Sequence, residues 1–183
     1  EGFEADDLLG TAARVSEEKG INAVIVSGDR DLLQLATDNV LIRMPKTKRG
    51  TTEIENYYAA DVKEVYQVNP PQIIELKALM GDASDNIPGV PGIGEKTATN
   101  LIVAYGSIEN AYAHVEEIKP NRAKEALRNH YDMAKMSKKL ATICVQAPLE
   151  LSWENAKLTN LYTPEVYEWF KKLNFKKLLS RFD

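Results

Sequence analysis

The sequence predicts an α/β fold: a short sheet with its helices first, a mostly helical lobe afterwards. Three observations carry this. Two short apolar runs, Ala23–Val26 and Val40–Met44, alternate with helical stretches, and helix, strand, helix, strand in that order is how an α/β domain begins. From residue 59 onward the apolar residues recur mainly at helical spacing. Gly81 to Gly94 interrupts that second region with so much Gly, Pro, Asp and Asn that it cannot be regular structure.

Each element has its own signal. Residues 5–19 read as a helix, with Leu8, Ala12 and Val15 as its apolar stripe and Gly20 as its stop. Ala23-Val24-Ile25-Val26 is apolar without alternation, which predicts a strand buried on both faces, as in parallel sheets. Ser27-Gly28-Asp29 ends it, and Asp31 to Leu35 begins a short helix. Val40–Met44 is the next strand, closed by Pro45, and Lys46 to Thr52 is a polar, basic loop with the composition of a hairpin tip. Helices are expected over 59–67 and 71–80, the second started by Pro70-Pro71. More follow over 95–104, stopped by Gly106, then over 107–115 and 121–140. Ala141-Thr142-Ile143-Cys144-Val145 reads as one further buried strand, with Cys144 as core filler. Pro164 to Arg181 reads as helical, anchored by Phe170, Leu173, Phe175 and Leu178.

Composition narrows the function classes. With 44% hydrophobic residues the chain can bury a sizeable core, and no apolar run approaches the roughly 20 residues of a membrane helix. One cysteine excludes an internal disulfide and suits a reducing compartment. The opening acids lack the basic character of a secretory leader. A net charge of −4 argues against nucleic-acid binding taken alone, but its distribution does not. Seven acids fall in three tight groups, while Lys119, Arg122, Lys124, Arg128, Lys135, Lys138 and Lys139 gather later, which suits a metal site beside a phosphate-binding surface.

The acid groups are Glu4, Asp6 and Asp7 at a helix start, Asp29 and Asp31 after a strand, and Asp82 and Asp85 in a Gly-Asp-x-Ser-Asp-Asn loop. Each has a structural explanation: the helix dipole favours acids at its N-terminus, Asp31 suits an N-cap, and Asp and Asn suit turns. Yet ligands in α/β proteins sit at the carboxyl ends of strands, and carboxylates brought together need a cation. Oxygen-only ligands select Mg²⁺ or Mn²⁺. His114 and His130 are isolated in helical segments, so no Cys/His zinc set exists. Gly92-Ile93-Gly94-Glu95-Lys96-Thr97 places glycine amides and Lys96 at a helix start, a phosphate-binding arrangement. Between helices 71–80 and 95–104 it forms a helix-hairpin-helix type element, which holds DNA backbone without reading bases.

These motifs in order, Glu4-Ala5-Asp6-Asp7, then Ser27-Gly28-Asp29-Arg30-Asp31-Leu32-Leu33-Gln34-Leu35, then Gly81-Asp82-Ala83-Ser84-Asp85-Asn86-Ile87-Pro88-Gly89-Val90 running into Gly92-Ile93-Gly94-Glu95-Lys96-Thr97-Ala98, resemble the 5′ nuclease (5′-3′ exonuclease) domain family of bacterial DNA polymerase I, within the flap endonuclease superfamily. Ser137-Lys138-Lys139-Leu140-Ala141-Thr142-Ile143 and Leu173-Asn174-Phe175 fit the same pattern, so the likeness covers nearly the whole chain. It implies a PIN-like, Rossmann-related parallel sheet, here partial, over residues 1–80. It also implies a helix-hairpin-helix (helix-3-turn-helix) lobe with the C-terminal helices over 81–183. Glu4, Asp6, Asp7, Asp29, Asp31, Asp82 and Asp85 match its metal-site carboxylates. Gly92, Gly94, Lys96, Thr97, Arg122 and Lys138 are the expected DNA contacts, and the carbonyls of Val90 and Ile93 can hold K⁺ shared with a DNA phosphate. The implied activity is two-metal hydrolysis of DNA at 5′ ends and flaps, on branched duplexes and RNA-DNA primers, in replication and repair in a bacterial cytoplasm. A polymerase domain is expected further along the same polypeptide.

The chain departs from the family at its front. Members begin with a strand carrying one aspartate, a second aspartate on a later strand and a basic helical arch, and none stands in this sequence. The resemblance therefore implies that residues 1–183 by themselves are essentially inactive. Two other readings stay open on the residues: a non-catalytic DNA-backbone-binding module, and a PIN-type ribonuclease.

Overall fold

A computed structural model of the chain describes residues 2–48 and 50–182. The chain divides into two compact units, Glu1–Leu149 and Glu150–Asp183. The first unit opens with α1 (Ala5–Glu18), β1 (Ala23–Val26), a 3₁₀ turn (Arg30–Leu35), β2 (Val40–Lys48) and β3 (Thr51–Tyr57). It continues through α2 (Ala59–Tyr66), α3 (Gln72–Met80), α4 (Glu95–Tyr105), α5 (Ile108–Ala113), a 3₁₀ turn (Val115–Glu117) and α6 (Asn121–Ala141). The second unit carries α7 (Pro164–Lys172), started by Pro164 behind the Thr163 cap, and α8 (Lys176–Leu179). Phe170, Phe175 and Phe182 pack ring to ring there.

The sheet is mixed, in order β1-β2-β3. β1 and β2 are parallel, with Ala23 opposite Val40 and Val26 opposite Arg43, while β2 and β3 form an antiparallel hairpin. Pro45 does not close β2; it stands opposite Ile54 inside the ladder. β1 ends at the level of Arg43, so beyond it β2 has one neighbour and tolerates a residue without an N–H. Lys46–Lys48 and Thr51–Thr52 are therefore strand residues of the β2–β3 hairpin rather than loop. Nor is β1 buried on both faces: Ile25 is in the core, but Val24 and Val26 are exposed.

α1 also differs from its apolar periodicity. Its buried face is small and polar, Gly10, Thr11, Ala13 and Ser16, while Leu8 and Leu9 are exposed. Gly10 shows why: a Cβ there would lie 3.0 Å from Ile143 and 3.2 Å from Val145. The segment after α6 packs directly on the helix. That segment is extended but is no strand. Side chains satisfy its backbone instead: Asp7 accepts from the Cys144 N–H (2.8 Å) and Thr11 from the Ala147 N–H (3.0 Å). Arg14 donates to the Val145 carbonyl (2.7 Å), and Gln34 bonds both Ala141 and Ile143. Cys144 is consequently exposed, not core.

The core continues from Leu32, Leu33 and Ile42 under the sheet through Val62, Leu76 and Leu79 to Ile102, Ile108 and Leu127 among the helices. α6 bends at His130, whose φ of −128° is non-helical. Between α3 and α4 the chain makes a tight double turn. Gly81 (φ 73°) and Gly89 (φ 63°) cross so closely that a Cβ on Gly89 would fall 2.3 Å from the Gly81 nitrogen. Asp82 and Ile87 exchange both backbone hydrogen bonds, and the Gly89 N–H donates to the buried Ser137 hydroxyl (2.9 Å). This turn is fixed by packing and by hydrogen bonds, and it sets the positions of Asp82 and Asp85.

Candidate metal centre and DNA-backbone element

The helix-start and turn explanations hold, but the cap of the 3₁₀ turn is Asp29 rather than Asp31, which lies inside the turn and donates its N–H to Asp29. Asp7 accepts from the Glu4 N–H (3.0 Å) at the start of α1, Asp29 caps the 3₁₀ turn by accepting from the Asp31 N–H (2.9 Å), and Asp82 accepts from the Ser84 N–H (2.9 Å). The same local bonds nevertheless aim all three groups at one place. A cleft of about 570 Å³ is lined by Glu4, Asp6, Asp7, Asp29, Asp31 and Asp85, together with Lys139 and Cys144. Asp29, Asp31, Asp82 and Asp85 also line one adjoining depression. The 29–31 and 82–85 pairs converge, as their spacing predicted.

Lys77 is the member that sequence reading missed. It lies on α3 with its side chain only 7% exposed, and its ammonium contacts Asp31, Asp82 (2.6 Å) and, at 3.6 Å, Asp85. Oxygens of those three aspartates lie within 4.8 Å of one another, the one group of metal-capable side chains among the described residues, and it includes no His or Cys. A sequence signal existed: a lysine inside the buried run Ile73 to Leu79 of α3, five residues before Asp82.

The electrostatics divide the acids in two. Burial would lower the Lys77 pKa, but its hydrogen bonds to Asp31 and Asp82 outweigh this and hold it above the usual lysine value. The Lys77 hydrogen bond, with help from Ser84, keeps the Asp82 carboxyl well below the ordinary range. Asp31 shares that lysine yet moves up, because its greater burial exceeds what Lys77 returns. Asp6 is pushed up by burial first and then by Asp29, Glu4, Asp7 and Asp85. One ammonium thus answers three carboxylates, and among the described residues Glu4, Asp6, Asp7 and Asp29 enter no ion pair, although Lys139 lines the same cleft. The set fits divalent ions on chemical grounds: oxygen donors, crowded, with surplus negative charge.

The glycine hairpin takes the expected shape. Gly94 caps α4, leaving the first helical amides, from Glu95, Lys96 and Thr97, without intrahelical acceptors at the positive end of the dipole. Val90 and Ile93 are buried, and the Val90 carbonyl accepts the Ile93 N–H (3.0 Å). Gly92 (φ 89°) faces the Arg122 guanidinium, 3.7 Å from where a Cβ would stand. The basic residues of α6 are less free than the sequence suggests. Lys138 bridges Glu75 (2.5 Å) and Glu109 (2.9 Å), Arg128 pairs with Glu116 and Glu125, and Lys135 pairs with Asp132. Among the described residues Lys96, Arg122 and Lys139 enter no ion pair.

Comparison with known proteins adds two family matches. Residues 68–163 match the model described as 5′-3′ exonuclease, C-terminal SAM fold, and residues 1–67 the model described as 5′-3′ exonuclease, N-terminal resolvase-like domain. DNA polymerase I of Bacillus caldotenax is 47% identical over 183 residues, which is 100% of this chain and 21% of that protein. The chain thus spans about a fifth of the length of the curated relatives it matches. Among solved structures, the bacteriophage T5 5′-exonuclease with divalent zinc bound aligns with a TM-score of 0.67 at 28% identity, over 78% of this chain and 51% of that one. The T5 flap endonuclease in a pseudo-enzyme-product complex with DNA and metal ions gives 0.67 at 27% identity, with the same coverage.

Proposed function

We propose, from the premise that this chain belongs to the 5′-3′ exonuclease family, that it supplies the carboxylates and the DNA-backbone clamp of a structure-specific 5′ nuclease acting on 5′ ends and flaps. The observation that carries the reading is the convergence of Glu4, Asp6, Asp7, Asp29, Asp31 and Asp85 in one cleft. Asp82 completes the set at its edge. These seven residues hold Mg²⁺ or Mn²⁺, two ions in the complete domain. Such ions, when bound, activate an attacking water and stabilise the leaving oxygen.

The remaining work falls to the chain's own groups. The amides of residues 95–97, with Gly92, Gly94, Lys96 and Thr97, take a backbone phosphate at the start of α4. Arg122 reinforces that contact from α6. Lys139, at the rim of the acid cleft, meets the strand entering it. Lys138 joins only by releasing Glu109, since its ammonium is committed in this structure. The carbonyls of Val90 and Ile93 hold K⁺ beside the same phosphate. In this reading residues 1–80 belong to the nuclease core and 81–183 to the DNA-binding lobe. The substrates are branched duplexes and RNA-DNA primers in a bacterial cytoplasm, with a polymerase domain on the same polypeptide; the bacterial polymerase I relatives support this setting.

The test is cleavage of a 5′-flapped duplex, measured for this chain and for the full-length polypeptide that carries it. Cleavage by the full-length protein requires Mn²⁺ or Mg²⁺ and is lost in Asp31→Asn and Asp85→Asn. Undiminished cleavage in both variants overturns the assignment, and preferential cleavage of single-stranded RNA favours the ribonuclease reading.

A further inference from the structure

Lys77 sits inside the triad that the proposed function gives to a divalent ion, and the two cannot share it. Its ammonium has three protons and three carboxylates around it, Asp31, Asp82 and Asp85. The carboxylates that cage it are the same three that each offer an oxygen within 4.8 Å of the others'. A divalent ion bonded to those oxygens at roughly 2.1 Å occupies the space of the lysine nitrogen, and two cations a few ångströms apart repel strongly where burial weakens screening.

We infer that Lys77 is a built-in stand-in cation. In the metal-free chain it holds the three aspartates together, and it leaves when a divalent ion enters. The structure provides somewhere to go. A second cavity, about 660 Å³, is lined by Lys77 itself, Asp31 and Asp82 and extends to Tyr66, Met80 and Glu95, with Arg30 and Lys46 also in its wall. A rotation about the side-chain bonds of Lys77 takes the ammonium from the triad into that cavity, towards the exposed Glu95, while α3 stays in place. The exchange leaves a cation among the three carboxylates in both states. It also explains how a buried lysine is tolerated in a site that needs metal.

The inference rests on the metal reading of the triad, and its test separates the two. Lysines of the wild-type chain are acetylated with an N-hydroxysuccinimide ester in EDTA and in saturating Mn²⁺, and the modification of Lys77 and Lys96 is read by peptide mass spectrometry. Lys77 is protected in EDTA and its labelling rises severalfold in Mn²⁺, while Lys96, exposed in either state, does not change. Calorimetry of Lys77→Met then shows Mn²⁺ binding tightened by roughly tenfold or more, because the competing charge is gone, and its melting point in EDTA falls below wild type. If wild type binds Mn²⁺ while Lys77 labelling stays constant or drops, the exchange is refuted. Mn²⁺ affinity unchanged or weaker in a folded Lys77→Met variant refutes it as well. If neither protein binds Mn²⁺, the metal reading fails and the exchange with it. Should Lys77→Met not fold, the labelling of wild type decides alone.

Discussion

Replacing Gly89 with alanine tests whether the crossing of Gly81 and Gly89 is what builds the metal site. Gly89 has φ 63°, and a Cβ there lies 2.3 Å from the Gly81 nitrogen, 2.7 Å from the Gly81 Cα and 2.7 Å from the Met80 carbonyl carbon. All three are backbone atoms, so no side chain can turn aside. Gly20 is the matched control, with φ 70° and nothing within 4 Å of its Cβ position. The left-handed conformation costs alanine about 1–2 kcal/mol at either site. Lower entropy of the unfolded chain offsets about 0.4–1 kcal/mol of that in both. Only Gly89→Ala adds the overlap, which needs a shift of about 1 Å in one strand of the turn; overpacking of this kind costs about 1–3 kcal/mol or more. Gly20→Ala should therefore lose no more than about 1.5 kcal/mol, and Gly89→Ala a further 1–3 kcal/mol or more. At about 2–4 °C per kcal/mol for a unit of this size, the two variants should melt roughly 2–12 °C apart. The assay is paired urea and thermal unfolding, with Mn²⁺ binding on the same samples. Because the crossing carries Asp82 and Asp85, Gly89→Ala should also lose Mn²⁺ affinity while Gly20→Ala keeps it. Equal stability of the two variants refutes the reasoning.

Lys96→Ala and Arg122→Ala should each weaken duplex binding alike for all sequences and reduce the slope of log affinity against log salt by about 1, as read by fluorescence anisotropy across a salt series. Lys138→Met should cost about 1.5–3 kcal/mol by leaving Glu75 without its cation, measured by urea unfolding. Its pH dependence has a fixed sign. Burial would raise Glu109 and lower Lys138, but their mutual hydrogen bonds reverse both shifts. Glu109's contribution is whole above its ordinary value of 4.5 and fades as pH falls through its depressed one; Lys138's is whole below its ordinary 10.5 and fades as pH rises through its raised one. The stability gap between wild type and Lys138→Met should stay flat through neutral pH and narrow outside those limits. Cys144 should titrate with a disulfide reagent in the native protein, one equivalent without denaturant; protection until unfolding would restore the buried-strand reading.

The sequence made the helices legible because their ends carry strong local chemistry. Thr163 before Pro164 and Gly106 after Tyr105 stand where the structure starts and stops α7 and α4. The acid cleft was legible too, since each carboxylate group stands at an end of an element, the first at the start of α1 and the others after β1 and α3. What failed has a common cause: the outcome depends on a distant partner. The apolar run around Cys144 has strand composition, but Asp7, Thr11, Arg14 and Gln34 take its backbone bonds from over a hundred positions away. Pro45 looked like a strand end because its tolerance depends on where β1 stops. Lys77 read as one more helix residue because only the fold brings Asp31 and Asp82 to its ammonium.

The clasp between α1 and the segment following α6 has a consequence for how the protein is made. The bond from the Cys144 N–H to Asp7 joins residues 137 positions apart, and contacts of such separation form late because the intervening chain must first be ordered. On a ribosome, domains fold as their residues emerge. α1 is available early, but Asp7 acquires its partner only after Cys144 has left the exit tunnel. Until then α1 rests beside β1 and the 3₁₀ turn by its packing there and by the Thr37 bond to Glu17, without the bond that fixes Asp7. Asp7 is therefore among the last members of the cleft to be fixed, and a nascent chain cut short before residue 144 carries the acids of the cleft without the bond that holds Asp7 in place.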